Sequence, residues 1–172
     1  MRTRESQPDR AGFEALYRHE LSRMTAIGTA LTGNRESGAD IAHEAMLRAY
    51  RDWARVSTLD QPGAWLRRVV INLATDLHRR RERERRAISR LSAERPAPAA
   101  KAADGEFWTA VRALPERQRR VVALYYIDDM AVADIARVLE IAPGTVKSAL
   151  FDARRALATT LGAEYARDEE VS

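Results

Sequence analysis

The sequence predicts an all-α fold: two small helical domains, an N-terminal helical bundle and a C-terminal helix-turn-helix, joined by a flexible linker. Three observations carry this. Apolar residues recur at three- and four-residue spacing, with no strand-like alternation. The stretch SAERPAPAAKAADG, Ser92 to Gly105, is rich in Ala and Pro and holds no large apolar side chain, so it has nothing to pack. Helical spacing resumes at Glu106 and lasts to about Leu161. The resulting division is a first domain over 10–88, a linker over 89–105, a second domain over 106–162 and an acidic tail over 163–172.

The elements follow in order. Phe13, Leu16, Tyr17, Met24, Ile27 and Leu31 mark one face of a first helix, closed by TGN at Thr32 to Asn34. A second helix spans about Ala39 to Trp53, with a core stripe of Ala42, Met46, Ala49, Tyr50 and Trp53. The break LDQPG precedes Pro62, a residue suited to a first turn, and a long third helix. Its core stripe is Leu66, Val69, Val70, Leu73 and Leu77, and it runs into HRRRERERR. Beyond the linker, Pro115 opens a helix, AVADIARVL gives another, and Pro143 begins the last, with Val146, Leu150, Ala153 and Leu157 inward. Two short helices with a tight turn, and the small Ala136 at their crossing, fit a helix-turn-helix.

Composition narrows the functional classes. The 172 residues carry a net charge of +4 and a pI near 9.8, a mild lean towards a nucleic-acid partner. With no cysteine, disulfides, thiolate metal sites and thiol catalysis are excluded. No apolar run approaches the roughly 20 residues that span a bilayer, so no membrane insertion is expected. The polar start, MRTRESQPDR, lacks a signal-peptide core, which points to a cytoplasmic protein. Phosphate-binding glycine loops, HExxH and nucleophile-elbow motifs are missing, and the three histidines are scattered. No catalytic residue, metal site or cofactor is expected.

Three surfaces hold the candidate residues. On the third helix, Trp65, Arg68, Asn72, Asp76 and Arg79 form a stripe about 120° from the core face. Aromatic and guanidinium planes stack on unpaired bases, an amide bonds their edges and Arg holds phosphate. The same residues also fit a solvated helix face with Trp65 in the core. Residues 79–90 add seven Arg against two Glu, a cationic run suited to guiding nucleic acid. On the last helix, Thr145, Lys147, Ser148, Phe151 and Arg155 lie away from the core, with Asp152 among them. Such side chains meet base edges and phosphates in a major groove, although a plain surface helix would carry them too. On the second helix, Asp40, Glu44, Arg48 and Arg51 form a charged face, with Ile41 inside it and Leu47 at its edge. Apolar residues in a charged face suit a partner surface, and lone exposed apolar residues are also ordinary.

This order of parts resembles the extracytoplasmic-function class of bacterial sigma factors, over about Phe13 to Leu161. ADIAHEAMLRAYRDW is similar to the segment of that family's second conserved region that binds core RNA polymerase. PGAWLRRVVINLATDLHRRR resembles its segment that melts and reads the minus-ten element. ALPERQRRVVALYYIDDMAVADIARVLEIAPGTVKSALFDARRAL resembles the fourth region, which reads the minus-thirty-five element. The resemblance implies a promoter-specificity subunit whose partners are core RNA polymerase and promoter DNA. It commonly implies an anti-sigma factor as well, to which no residue here points by itself. It assigns Asp40, Ile41, Glu44 and Leu47 to polymerase; Trp65, Arg68, Asn72 and Asp76 to the unpaired minus-ten strand; and Thr145, Lys147, Ser148, Phe151 and Arg155 to the major groove. The loop from Val56 to Gly63 corresponds to a base-capturing loop. The chain departs from the family where helix caps are usually Ser or Thr (Ala131 and Ala142), where the turn usually has Gly (Glu140), and where basic residues are common (Ala149 and Asp152). Two other readings stay open on the residues: a stand-alone helix-turn-helix regulator, and a helical adaptor that never touches DNA.

Overall fold

A computed structural model describes residues 10–91 and 106–162. These residues form α1 (Arg10–Thr32), α2 (Arg35–Arg51), α3 (Trp53–Val56), α4 (Pro62–Leu91), α5 (Glu106–Ala113), α6 (Glu116–Ile127), α7 (Val132–Leu139) and α8 (Pro143–Leu161), with no strand among them. The helix α4 runs through Leu91, so the first three residues of the predicted linker are helical. Positions 92–105 and the predicted tail, 163–172, lie outside the described residues.

The first two helices form a tight hairpin. Gly33 takes φ +68°, a conformation that suits glycine, and turns the chain out of α1. The Asn34 side chain then accepts a hydrogen bond from the Ser37 amide at 2.8 Å, which caps α2 and starts it four residues before the apolar pattern predicts. The helices touch backbone to backbone: a Cβ on Gly28 would sit 2.8 Å from the Gly38 carbonyl oxygen, and one on Gly38 would sit 2.4 Å from the Thr29 nitrogen. The rest of the seam is filled by Met24, Ile27, Leu31, Ala42, Ala45, Met46 and Ala49, all buried. Trp53 and Val56 lie on the short α3 and are buried as well.

This packing corrects two expectations for α2. Ile41 is 7% exposed and belongs to the core. Its position fits the buried series Gly38, Ile41, Ala42, Ala45, Met46 and Ala49, which covers two adjacent rows of the helix. Tyr50, expected inside, is 46% exposed; its ring meets Phe13 edge-on at 5.0 Å over a shallow groove that Tyr17, Met46 and Leu47 also line.

In the C-terminal half α6, α7 and α8 build the expected helix-turn-helix, with α5 laid across α8. Val146, Leu150, Ala153 and Leu157 are buried, as their spacing predicts. The helices α7 and α8 begin without a side-chain cap, at Ala131 and Ala142. Glu140 closes α7 in the left-handed region, at φ 55° and ψ 45°, where glycine meets no Cβ penalty.

The two halves pack directly on each other. One hydrophobic cluster joins Met24, Ile27, Leu66, Val70, Ile71 and Ala74 to Val121, Leu124, Ile135 and Val138. At its centre the Arg67 guanidinium, buried on α4, forms a short hydrogen bond from Nε to Asp128 Oδ2 and a second from Nη2 to Oδ1 at 3.2 Å. Glu20 of α1 approaches the same guanidinium at 3.3 Å, and Arg23 reaches Asp128 at 3.3 Å. Burial opposes the Arg67 charge, but the hydrogen bond and attraction of Asp128, helped by Glu20, raise its pKa above the ordinary value. A Cβ at Gly63 would lie 2.7 Å from Arg67 Nη1 and 2.8 Å from Glu20 Oε1, so a side chain here would have to displace the ends of that pair. Further along the seam Arg120 donates to Thr75 Oγ1 (3.0 Å), and Arg119 donates to the Arg112 carbonyl (2.8 Å) beside His78. Burial, then the charges of Arg119 and Arg85, hold the His78 imidazole below its usual pKa, against the opposite pull of Glu82 and Glu116.

Removing one member of a buried ion pair strands the other. The substitution Asp128→Ala is therefore expected to lower unfolding stability by about 3 kcal/mol in urea titration. The double variant Arg67→Met/Asp128→Leu should recover most of that loss, because it leaves no buried charge alone.

Candidate nucleic-acid interface

The stripe predicted on α4 exists as a surface, but its members stand in different surroundings. Asn72 and Asp76 are exposed. Trp65 is half-buried against the core cluster, and the Arg55 guanidinium lies 5.6 Å from its ring centroid. That contact presents one aromatic plane, already paired with a cation, beside the loop that follows α3. Arg79 is largely exposed and ion-paired with Glu116 of α6 at 3.0 Å. Arg68 is the most constrained: Nε donates to the Val138 carbonyl at 3.0 Å, Nη2 to the Arg137 carbonyl at 3.3 Å, and Nη1 to Glu140 Oε1 at 2.5 Å. So of the five residues two face solvent freely, one is stacked, and both arginines hold groups of the C-terminal half.

Downstream on α4 the predicted basic run lines an open groove formed by Asp76, His78, Arg79, Glu82, Arg83 and Arg86. Glu84 pairs with Arg80 at 2.9 Å, and Glu82 with Arg85 at 3.6 Å and Arg86 at 3.4 Å. Such exposed i,i+3 and i,i+4 pairs are weak and yield readily to a phosphate.

The helix α8 presents its expected face intact. Lys147, Ser148, Phe151, Asp152 and Arg155 are exposed and Thr145 is half-buried at the first turn. Phe151, 64% exposed, is the largest apolar group on this surface. Ser148 Oγ donates to the Gly144 carbonyl at 2.9 Å, which leaves its lone pairs outward as acceptors. Ala149, where the family often has a basic residue, is 5% exposed and belongs to the core beside the inward Leu150. Asp152 stands as the one acidic residue on this exposed face of α8.

On α2, Asp40, Leu47, Arg48 and Arg51 are exposed, and Glu44 is half-buried and bonded to Arg48 at 2.9 Å. Ile41 is absent from this face, as above. Leu47, 42% exposed, takes over as its apolar member and continues into the groove beneath Tyr50. Sequence reasoning did not single out Tyr50 as a surface residue, nor Arg67 as a buried one. For Arg67 a signal existed: Ile71 and Ala74 lie outside the predicted α4 core stripe and on its own side of the helix, marking a second packed face. Among the described residues no cluster of metal-binding side chains occurs, and no helix is long and apolar enough to cross a membrane.

Residues 16–84 match the family described as Sigma-70 region 2, and residues 104–157 match Sigma-70, region 4. The chain is similar to the ECF RNA polymerase sigma factor SigM of Mycobacterium tuberculosis, 31% identical over 159 residues that cover 90% of this chain and 79% of the relative. It is 34% identical over 145 residues to the probable RNA polymerase sigma factor RfaY of Xanthomonas campestris pv. campestris; that match covers 76% of this chain and spans only 36% of the longer relative. Against the ECF RNA polymerase sigma factor SigW of Bacillus subtilis the identity is 27%, covering 74% of this chain and 76% of the relative. Among solved structures, the sigma factor RpoE in complex with the anti-sigma factor NepR from Bartonella quintana superposes with a TM-score of 0.69 at 22% identity, over 87% of this chain and 96% of that one. CnrH in complex with the cytosolic domain of CnrY gives 0.64 at 20% identity, over 88% of each chain. At these identities the two structures speak for the fold alone.

The two apolar residues of α2 are expected to respond oppositely to a charge. Ile41→Asp should cost about 3 kcal/mol or more, seen as a lowered urea midpoint, because the carboxylate enters a core with no partner. Leu47→Asp, at an exposed site, should stay within about 0.5 kcal/mol of the parent.

Proposed function

The chain belongs to the ECF RNA polymerase sigma factors, so its work is promoter-directed initiation of transcription, and we propose the following division of that work among its surfaces. The unit over 10–88 binds core RNA polymerase through Asp40, Glu44, Leu47, Arg48 and Arg51, with Leu47 as its apolar anchor in place of the buried Ile41. Trp65, Arg68, Asn72, Asp76 and Arg79 meet the separated minus-ten strand. The unit over 106–162 reads minus-thirty-five duplex with Thr145, Lys147, Ser148, Phe151 and Arg155. The protein acts in the cytoplasm and carries out no bond chemistry of its own, which belongs to polymerase. An anti-sigma factor is a fitting further partner, as RpoE is seen with NepR.

The single observation that supports this best is the pairing of two unlike polar surfaces in one chain. One stripe on α4 offers an aromatic plane, an amide and cations for unpaired bases. The face of α8 offers short polar groups and cations around an exposed Phe151 for a duplex groove. Neither is large, and joining them makes the second contact intramolecular, which raises the affinity for DNA that carries both elements. On α8, Asp152 lowers the general attraction to phosphate and favours a base that donates, such as cytosine through its amino group.

Transcription by purified core polymerase on genomic fragments, with and without the chain, tests the whole reading: new, discrete start sites are expected only in its presence. Within that assay Asn72→Ala should reduce permanganate reactivity of the opened strand while retaining polymerase in a pull-down; equal loss of both would reject a strand-reading Asn72. Separately, Asp152→Arg is expected to tighten promoter binding by the holoenzyme and to steepen its salt dependence by about one in the log–log slope. An unchanged slope would place Asp152 away from phosphate.

A further inference from the structure

We propose that Glu140 and the C-terminal end of α7 act as an internal occupant of Arg68, so that closure of the chain and binding of a separated strand compete for the same guanidinium. This deepens the reading of Arg68 given above and rests on it. The contact engages all three guanidinium nitrogens. The last carbonyls of a helix have no intrahelical partner and carry its negative dipole end. Arg68 takes two of them on α7, those of Arg137 and Val138, and adds the Glu140 carboxylate at 2.5 Å. Two acceptor carbonyls and a carboxylate offer this arginine the same chemistry as a phosphate flanked by base acceptors.

The residue at position 140 makes the contact telling. The backbone there is left-handed, where glycine is the favoured occupant, and a glutamate bears the Cβ penalty. The carboxylate is 70% exposed and supports no other described group, so its one contact is with the other half of the chain. A second stripe residue is treated likewise: Arg79 holds Glu116 through Nε at 3.1 Å and Nη2 at 3.0 Å. Both stripe arginines thus carry carboxylates supplied by the C-terminal half. Asn72 and Asp76, between them, do not.

The competition is measured on the free full-length chain. It has no cysteine, so donor and acceptor dyes placed through Ala15→Cys on α1 and Thr160→Cys on α8, both exposed positions, report closure by energy transfer. A short fluorescein-labelled mixed-sequence single strand reports affinity in a separate titration. The variant Glu140→Gly keeps the left-handed backbone and removes the carboxylate; Glu140→Gln keeps the side-chain length and removes the charge. Both are expected to lower energy transfer and to raise strand affinity by up to about fivefold, the range of a partly exposed ion pair. Excess strand should lower transfer in the parent as well. In an Arg68→Ala background the gain from Glu140→Gly should vanish, which separates local masking from a general loss of negative charge.

Unchanged strand affinity in both variants, or the same gain without Arg68, overturns the proposal. Failure of the underlying reading looks different: Arg68→Ala holoenzyme then shows normal permanganate reactivity at the minus-ten strand. If that reactivity is lost while Glu140→Gly changes neither transfer nor affinity, Arg68 reads the strand and Glu140 does not mask it.

Discussion

The arrangement of the molecule depends on one buried cation. Arg67 is enclosed by Asp128 from the end of α6 and Glu20 from α1, with Arg23 closing over the Asp128 carboxylate. A charge so placed is tolerable only with its partners in position, so three segments distant in sequence must meet at this point. The meeting fixes the rotation of α4. Leu66, one step back, and Ile71 and Ala74 further on then enter the hydrophobic cluster that α4 shares with both halves. Arg68, one step on, is carried about 100° round the helix to the rim, where α7 ends. The masking of Arg68 therefore follows from the anchoring of Arg67. Gly63 belongs to the same constraint, because any side chain there would enter the space of the Glu20–Arg67 pair.

Much of this was legible in the sequence, and the exceptions have a common cause. Spacing gave the helices, and Gly33, Asn34, Pro62, Pro115 and Pro143 gave their ends, because capping and backbone preference are local. The faces of α8 were legible as well, since that helix packs inward on one side and leaves the other to solvent. Helix wheels failed where buried residues cover more than one side of a helix. On α2, Ile41 looked like an apolar intruder on a charged face, yet a buried row two residues wide includes it and releases Tyr50 to the surface. On α4 a single stripe describes the hairpin side and misses the side that meets α6 and α7. Charged residues mislead further, since a single sequence gives no sign that Arg67 and Asp128, 61 positions apart, will find each other.

The departures of the helix-turn-helix take a coherent form in the structure. The helix α7 has eight residues, begins at Ala131 without a side-chain cap and ends on a left-handed glutamate, so its own sequence supports it poorly. The missing support comes from the other half of the chain. Arg68 satisfies two of its terminal carbonyls from outside, and Ile135, Ala136 and Val138 sit in the cluster shared with α4. Part of the stability of the helix-turn-helix is thus borrowed from its contact with the N-terminal half, and separating them returns those carbonyls and that apolar surface to water.

This coupling sets a condition on any partner that engages both units at once. Opening exposes Asp128 and Arg67 to solvent, which restores their hydration, and also exposes apolar surface from Ile71, Leu124 and Val138, which is unfavourable. The structure is that of the closed form. A ligand shifts such an equilibrium only by the difference in its affinity for the two forms. Under the division proposed above, polymerase at Leu47 and the charged face of α2 would touch none of the ion pairs that join the two halves, and so would give little bias. DNA that takes Arg68 and Arg79 from Glu140 and Glu116, as proposed above, would favour the open form by the modest amount that those partly exposed ion pairs allow. On the proposed reading, the arrangement links release of α8 to capture of the separated strand.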